Sequence, residues 1–78
     1  MKVKVVLYAT LRQYAPDGKG NAFELELNLK ATAAVVCKIL GMPDDIEAVI
    51  LVNGRHATVD TYLSEDDTVT LYPTIAGG

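Results

Sequence analysis

The single cysteine, Cys37, is the feature that most limits how this chain can fold. With no second cysteine, no internal disulfide can form, and Cys37 and His56 alone do not supply a thiolate metal site, so no bound metal is expected. A chain of 78 residues must then be stabilised by its hydrophobic core alone. Half of the residues are hydrophobic, which predicts one globular domain and leaves no room for a second core.

The cellular compartment follows from the same cysteine count and from the N-terminus. A lone cysteine is typical of a reducing compartment. Residues 1–7 lack the long apolar core and the small-residue cleavage site of a signal peptide, and no apolar run approaches membrane-spanning length. The sequence therefore predicts a cytoplasmic protein that does not act at a membrane.

Charge is divided unequally between the two halves of the chain. Residues 1–38 hold six basic and three acidic side chains, and residues 39–78 hold one basic and seven acidic. The acidic half leads to the Gly-Gly end and includes Asp60, Glu65, Asp66 and Asp67. It argues against a nucleic-acid partner, which needs clustered cations, and fits a partner with a basic surface around its active site. The alternative is a solvated acidic rim that keeps the protein soluble.

Alternation of apolar and polar residues predicts the strands, and Asn53-Gly54 is the strongest short hairpin signal between two of them. The predicted strands are residues 2–8, 23–29, 47–52, 55–59 and 68–72. In the second of these strands, the inward positions are Phe23, Leu25, Leu27 and Leu29. Residues 9–14 are predicted as a short turn or a single helical turn.

One helix is predicted over residues 33–40, with Thr32 as its N-cap, Gly41 just after its end and Pro43 blocking continuation. The face expected to pack on the sheet comprises Val36, Ile39 and Leu40, with Val35 beside them.

The predicted order is strand, strand, helix, strand, short strand, strand, which is an α+β arrangement. It corresponds to the β-grasp, or ubiquitin-like, layout: a mixed sheet of about five strands with one main helix on one face. Residues 1–73 are predicted to form this domain, and residues 74–78 a flexible arm that ends in Gly-Gly.

In the β-grasp layout the first and last strands are parallel neighbours at the centre of the sheet. Their outward residues Val6, Tyr8, Thr70 and Tyr72 would then share one exposed patch on the face away from the helix. Tyrosine is enriched at protein interfaces, so the patch is predicted to bind a partner. The alternative is that these side chains only cover the sheet locally.

Conventional catalytic groups are almost absent from the sequence. His56 has no serine or cysteine placed to act as its nucleophile, and Cys37 is expected to be an inert packing thiol. The adjacent pairs Asp44-Asp45 and Asp66-Asp67 point apart, so they do not form an acid–base pair. The chain is therefore not predicted to be an enzyme in its own right.

The reactive group that remains is the carboxylate of Gly78. Glycine has no Cβ, so Gly77-Gly78 would form an arm thin enough to enter a narrow channel. An ionised carboxylate is a poor electrophile and must first be activated, for example as an acyl-adenylate made from ATP by another enzyme. A sulfur nucleophile could then displace AMP and leave a thiocarboxylate.

Four segments that span the chain resemble the MoaD/ThiS family of sulfur-carrier proteins, and MoaD more closely than ThiS. Residues 5–12 resemble the first strand and turn of that family, and residues 52–54 its central hairpin. Residues 60–69 resemble the Leu-x-Asp-Gly-Asp-x-Val turn, and residues 71–78 the Phe-Pro-Pro-Val-x-Gly-Gly tail.

This sequence departs from the family pattern at two positions. Asp66 stands where the family has glycine, and Asp tolerates left-handed backbone better than most residues do. Thr74 replaces the second proline of the tail, which should loosen the arm.

The resemblance implies a non-catalytic small subunit of molybdopterin synthase that binds no cofactor itself. A ubiquitin-activating-type adenylyltransferase would use ATP to adenylate Gly78, which would become a thiocarboxylate. The arm, with Gly77, Ala76 and Ile75, would enter the large subunit of molybdopterin synthase and donate sulfur for the molybdenum or tungsten cofactor. The partner-binding residues implied are Tyr72, Tyr8, Val6 and Pro73.

Three other functions stay open at this point. A ThiS-type carrier would donate sulfur for the thiazole of thiamine. A ubiquitin-like modifier would link Gly78 to a lysine of a target. A β-grasp binding module would make no use of its Gly-Gly.

Overall fold

The computed structural model describes residues 1–18 and 20–74 of the chain. In these residues five strands and two helices follow one another in the predicted order. The elements are β1 (Lys2–Leu7), a 3-10 helix (Ala9–Tyr14), β2 (Ala22–Glu26), α1 (Ala33–Ile39), β3 (Ala48–Val52), β4 (Arg55–Ala57) and β5 (Thr68–Pro73). Four of the ten strand ends coincide with the predicted ones, and the others differ by one to three residues.

The five strands form one mixed sheet in the order β2-β1-β5-β3-β4. The central strands β1 and β5 are parallel and in register from Lys4 opposite Thr68 to Leu7 opposite Leu71. The other three pairs are antiparallel. With α1 on one face, this confirms the predicted α+β class and the β-grasp layout.

The core lies between the sheet and α1 and is filled by alternate residues of the central strands. The side chains of Val5, Leu7, Val69 and Leu71 are completely buried. Burial of each such side chain stabilises the fold by about 1.5–3 kcal/mol. Because alternation places every second residue inward, it also sends Val6, Thr70 and Tyr72 to the opposite face of the sheet.

The helix packs on the sheet through a stripe that includes the predicted Val36 and Leu40 but not Ile39 and Val35. Ala33 and Val36 are completely buried, and Cys37 and Leu40 pack partly buried against the core. These four residues have the i, i+3, i+4, i+7 spacing of a single helix face. Ile39 is 52% exposed and Val35 is 37% exposed, so the prediction was wrong for both.

The start of α1 explains how the helix is rotated. Thr32 is the N-cap residue, as predicted, but its side chain makes no capping hydrogen bond. Instead the N–H groups of Ala33 and Ala34 donate to the carbonyl oxygens of Thr61 and Val59, at 3.0 and 2.9 Å. The backbone of the loop after β4 thus satisfies the first helical N–H groups and fixes which face of α1 meets the sheet.

The predicted inward position of Leu29 was also wrong, since its side chain is 78% exposed. The alternating pattern continues in the sequence, but β2 ends at Glu26. The chain then turns, with Lys30 in left-handed backbone at φ +68° and the Ala31 N–H bonded to the Asn28 carbonyl. Once the strand has ended, the period of two no longer determines which side faces the core.

Candidate functional site: the outer sheet face and the arm exit

The strand register aligns one row of side chains across the face of the sheet that points away from α1. In that row, Val6 of β1 lies opposite Thr70 of β5 and Ala22 of β2. Thr70 lies opposite Leu51 of β3, and Leu51 lies opposite His56 of β4. The centre of this row is apolar, and His56 ends it at the exposed edge strand.

A second row lies beside the first, nearer to the end of β5. Tyr72 pairs with Val49 of β3, and Tyr8 follows directly after β1. The Tyr8 N–H donates to the Leu71 carbonyl at 3.0 Å, which keeps Tyr8 next to β5 although its side chain is 49% exposed. Together the two rows form the outer patch, which comprises Val6, Tyr8, Val49, Leu51, Thr70 and Tyr72.

Four members of the outer patch were predicted, and the structure brings all four together. Val49 and Leu51 were missed because β3 is a continuous apolar run. Such a run has no alternation to show which of its residues face the core. The register supplies that information: Ile50, 5% exposed, pairs with the buried Leu71, so its neighbours Val49 and Leu51 point outward.

Pro73 lies on the other side of the sheet from the outer patch. It pairs with Ala48, which packs against the core, and it is half-buried. Pro73 is also the last residue of β5, so the chain leaves the sheet here, at a point we call the arm exit. Whether Pro73 contacts a partner stays a prediction.

Thr74 is the last described residue, and its hydroxyl donates to Glu47 Oε2 at 3.4 Å. Glu47 immediately precedes β3, so the acidic side chain lies at the arm exit. The predicted arm residues Ile75, Ala76, Gly77 and Gly78 lie outside the described residues. Their roles, and the flexibility assigned to residues 74–78, stay predictions.

The acidic residues are not gathered at the arm exit as the sequence suggested. Glu65 and Asp66 lie in the turn before β5, at the opposite end of that strand. There, the Asp66 N–H donates to the Lys2 carbonyl at 2.8 Å, and Glu65 Oε2 accepts from the Lys2 N–H at 3.1 Å. The carboxylate found at the arm exit is instead that of Glu47, whereas Asp44 lines a cleft with Ala34 and Lys38 of α1. The alternation and turn signals of the sequence could not reveal where these carboxylates lie, because their positions depend on the direction of β5 in the sheet.

The turn before β5 is held by a side-chain network. Asp67 accepts hydrogen bonds from the Asn53 side-chain amide at 2.8 Å and from the Ser64 N–H at 2.7 Å. The Asn53 side chain also accepts from the Thr68 N–H at 2.9 Å. Asp66 has φ +68°, which confirms that aspartate takes the left-handed backbone here. The network joins the β3–β4 hairpin to the start of β5.

The two side chains considered for catalysis, His56 and Cys37, lie in different surroundings. His56 is exposed at the edge of the outer patch, and Cys37 lies in α1, half-buried against the core. Burial raises the pKa of the Cys37 thiol, and a backbone hydrogen bond opposes this in part. In the described residues, no group of three or more His, Cys, Asp or Glu side chains is placed to hold a metal ion. Nor do residues 1–18 and 20–74 contain a helix long and apolar enough to cross a membrane.

The parallel central strands, the single covering helix and the apolar outer patch define a small ubiquitin-like protein of the β-grasp class. Comparison with known proteins gives the family. Residues 1–77 match the Mut7-C ubiquitin family, and the chain belongs to it. No curated protein matches the chain.

Several solved structures share this fold over nearly the whole chain. A candidate molybdopterin converting factor, subunit 1, from Pyrococcus furiosus is 28% identical, with 95% of this chain and 98% of that one covered and a TM-score of 0.73. SAMP1 from Haloferax volcanii is 21% identical, with complete coverage of both chains and a TM-score of 0.76.

A further similar structure is the complex of subunits 1 and 2 of molybdopterin-converting factor from Helicobacter pylori. The matching chain is 19% identical, with complete coverage of both chains and a TM-score of 0.63. These relatives confirm the predicted resemblance to MoaD-type proteins. The chain has a ubiquitin-like fold that small carriers and modifiers share.

Proposed function

We propose that the chain is a sulfur carrier that acts as the small subunit of a molybdopterin synthase. In this proposal the carboxylate of Gly78 is the reactive group, and the β-grasp domain presents it to two partners in turn. One is a ubiquitin-activating-type adenylyltransferase that uses ATP. The other is the large subunit of molybdopterin synthase, which receives the sulfur and lies in the cytoplasm with the carrier.

The chemistry is an acyl transfer in two steps. The Gly78 carboxylate attacks the α-phosphorus of ATP and expels pyrophosphate, which gives an acyl-adenylate. A hydrosulfide equivalent from a sulfur donor then attacks the carbonyl carbon and expels AMP, which leaves a thiocarboxylate and releases a proton. No side chain of the described domain is needed in either step, so the domain contributes recognition and positioning.

The observation that carries the proposal is the relation of the arm exit to the outer patch. β5 is a central strand of the sheet, and Tyr72 of the patch lies only two residues before Thr74. A protein bound on the patch is therefore next to the start of the arm. Subunit 1 of the Helicobacter pylori factor is found in complex with a second subunit, which supports a large-subunit partner for this chain.

The test is the mass of the C-terminal tryptic peptide from protein made with its own activating enzyme and sulfur donor. Cleavage after Arg55 releases residues 56–78, which contain no methionine or cysteine. Replacement of oxygen by sulfur on this peptide, reversed by hydrolysis, is the expected result. A free carboxylate on Gly78 despite an active activating enzyme would contradict it, and so would a natural chain that continues past Gly78.

A ubiquitin-like modifier is the second candidate function, and one comparison favours it. SAMP1 from Haloferax volcanii is described as a small archaeal modifier protein and has the same fold. A modifier would use the same adenylate but form an amide with a target lysine. The tryptic digest separates the two functions, because a modifier leaves residues 56–78 attached to a lysine of another protein.

A chain extended by a few residues after Gly78 separates both of these functions from a simple binding module. The extension converts the carboxyl group of Gly78 into a peptide bond but leaves the outer patch unchanged. We expect thiocarboxylate formation to be lost and the domain to unfold at the same temperature. Sulfur transfer by the extended chain would contradict the proposed function.

A further inference from the structure

The charged residues around the outer patch differ in kind between its two sides. Away from the arm exit, Lys4 pairs in register with Glu24, and Lys2 Nζ lies 4.0 Å from Glu24 Oε1. On that side, acidic and basic side chains therefore alternate and largely balance each other's charge.

At the arm exit, the outer patch is bordered by the acidic side chain of Glu47. Glu47 directly precedes Ala48, which pairs with Pro73, and its side chain accepts the Thr74 hydroxyl, so it lies beside the end of the outer patch. Asp44 and Asp45 precede Glu47 in the loop before β3, and all three carboxylates are exposed. Glu47 accepts one hydrogen bond, from Thr74, and forms no ion pair with the described residues. The apolar patch and an unneutralised carboxylate thus adjoin each other where the arm begins.

We propose that the adenylyltransferase, when it receives the arm, lays an apolar surface on the outer patch and sets a lysine or arginine side chain against Glu47. The inference rests on the proposed function, because it concerns the partner that the arm enters. An apolar centre with a charged rim is the usual composition of a protein interface. In the proposed function the arm delivers the Gly78 carboxylate, so a channel that admits it needs positive potential at its entrance, and the same cations would meet Glu47.

The length of the arm determines which kinetic constant Glu47 affects. Residues 75–78 span at most about 14 Å when extended. In the proposed function the carboxyl of Gly78 reacts inside the partner, at up to this distance from Glu47 at the entrance. A rim charge of this kind acts on association and on the choice of partner. Loss of Glu47 should raise KM for the carrier and leave kcat almost unchanged.

The experiment is ATP–pyrophosphate exchange by the adenylyltransferase of the same organism, with the full chain as substrate. Glu47→Lys is expected to raise KM about tenfold at low salt, with a smaller rise at high salt, because like charges then meet at the rim. Glu47→Gln should give a smaller rise. The matched control is Asp60→Lys, which makes the same charge reversal in the loop that bonds to the start of α1, on the opposite side of the sheet.

Thr74→Val tests whether Glu47 acts through its hydrogen bond to the arm. This variant removes the hydroxyl donor but keeps the carboxylate, so its KM should equal that of the wild type. A KM as high as that of Glu47→Gln would overturn the inference, and so would equal KM values for Glu47→Lys and Asp60→Lys. No exchange with the wild-type chain would overturn the proposed function and the inference together, whereas exchange insensitive to Glu47→Lys overturns the inference alone.

Discussion

At the scale of single residues, the described chain takes left-handed backbone at four positions that are not glycine: Ala9, Lys30, Asn53 and Asp66. Asparagine and aspartate accept this conformation through local hydrogen bonds, whereas alanine is opposed by its Cβ at a cost of about 1–2 kcal/mol. Ala9 follows Tyr8 of the outer patch and begins the 3-10 helix. The strain at Ala9 accompanies the abrupt change from extended to helical chain at the edge of the patch.

Ala9→Gly should therefore stabilise the protein by up to about 1 kcal/mol, since the relief of strain exceeds the greater entropy of glycine in the unfolded chain. Urea unfolding monitored by circular dichroism measures the change. The control is Ala34→Gly at an exposed position of α1, which should cost about 1 kcal/mol. Loss of stability in Ala9→Gly would show that φ +53° at Ala9 is not strained.

The Cys37 thiol should react slowly in the folded protein. Burial raises its pKa, so a smaller fraction is thiolate at pH 8 than in the unfolded chain, and only the thiolate reacts. Alkylation by iodoacetamide, followed by mass spectrometry, should be slower in native protein than in denaturant and should accelerate as the pH rises. Equal rates in the two states would mean that the thiol is neither shielded nor shifted.

At the scale of elements, the packing of α1 makes a prediction that separates the observed helix face from the one expected by pattern. Val36 is completely buried, whereas Ile39 is 52% exposed. Val36→Ala should cost about 2 kcal/mol because it removes buried methyl groups and leaves a cavity, and Ile39→Ala should cost less than about 1 kcal/mol. Val36 belongs to both faces and serves as the reference, so in thermal or urea unfolding a loss for Ile39→Ala as large as that for Val36→Ala would favour the face expected from the sequence.

The same helix shows why some of the fold could be predicted and some could not. The succession of strands and helix along the chain and the Asn53-Gly54 turn depend on local chemistry, and both are confirmed; Asn53 and Gly54 have φ +53° and +83°. The rotation of α1 depends on the bonds from Ala33 and Ala34 to the loop after β4, about 25 residues further along the chain. No local pattern encodes such a contact.

The residues in and beside the outer patch also divide into those that could be predicted from the sequence and those that could not. Val6, Tyr8, Thr70 and Tyr72 follow from two alternating strands and a topology, so they could be named from the sequence. Val49, Leu51 and Glu47 required the register of β3 against β5, which a continuous apolar strand does not reveal.

At the scale of the whole molecule, the proposed function gives partner recognition to the described domain and the reaction to Gly78. The described domain supplies a sheet with an apolar outer patch, and the proposed chemistry takes place at Gly78, five residues after the end of β5. A change at the arm's end should therefore affect transfer without affecting the fold. This separation distinguishes a carrier from an enzyme, in which the reacting groups are held by the domain itself.

Gly78→Ala tests this separation with the smallest possible change. The variant adds one methyl group next to the reacting carboxyl, and a closely fitted channel resists an added methyl by about 1–3 kcal/mol. Each 1.4 kcal/mol lost from the transition state corresponds to about a tenfold slower reaction, so thiocarboxylate formation should fall about tenfold or more. The unfolding temperature should stay the same, because β5 ends at Pro73, five residues before Gly78. Unchanged transfer would show that the arm is not tightly enclosed, and reduced stability would show that Gly78 belongs to the folded domain instead of to the arm.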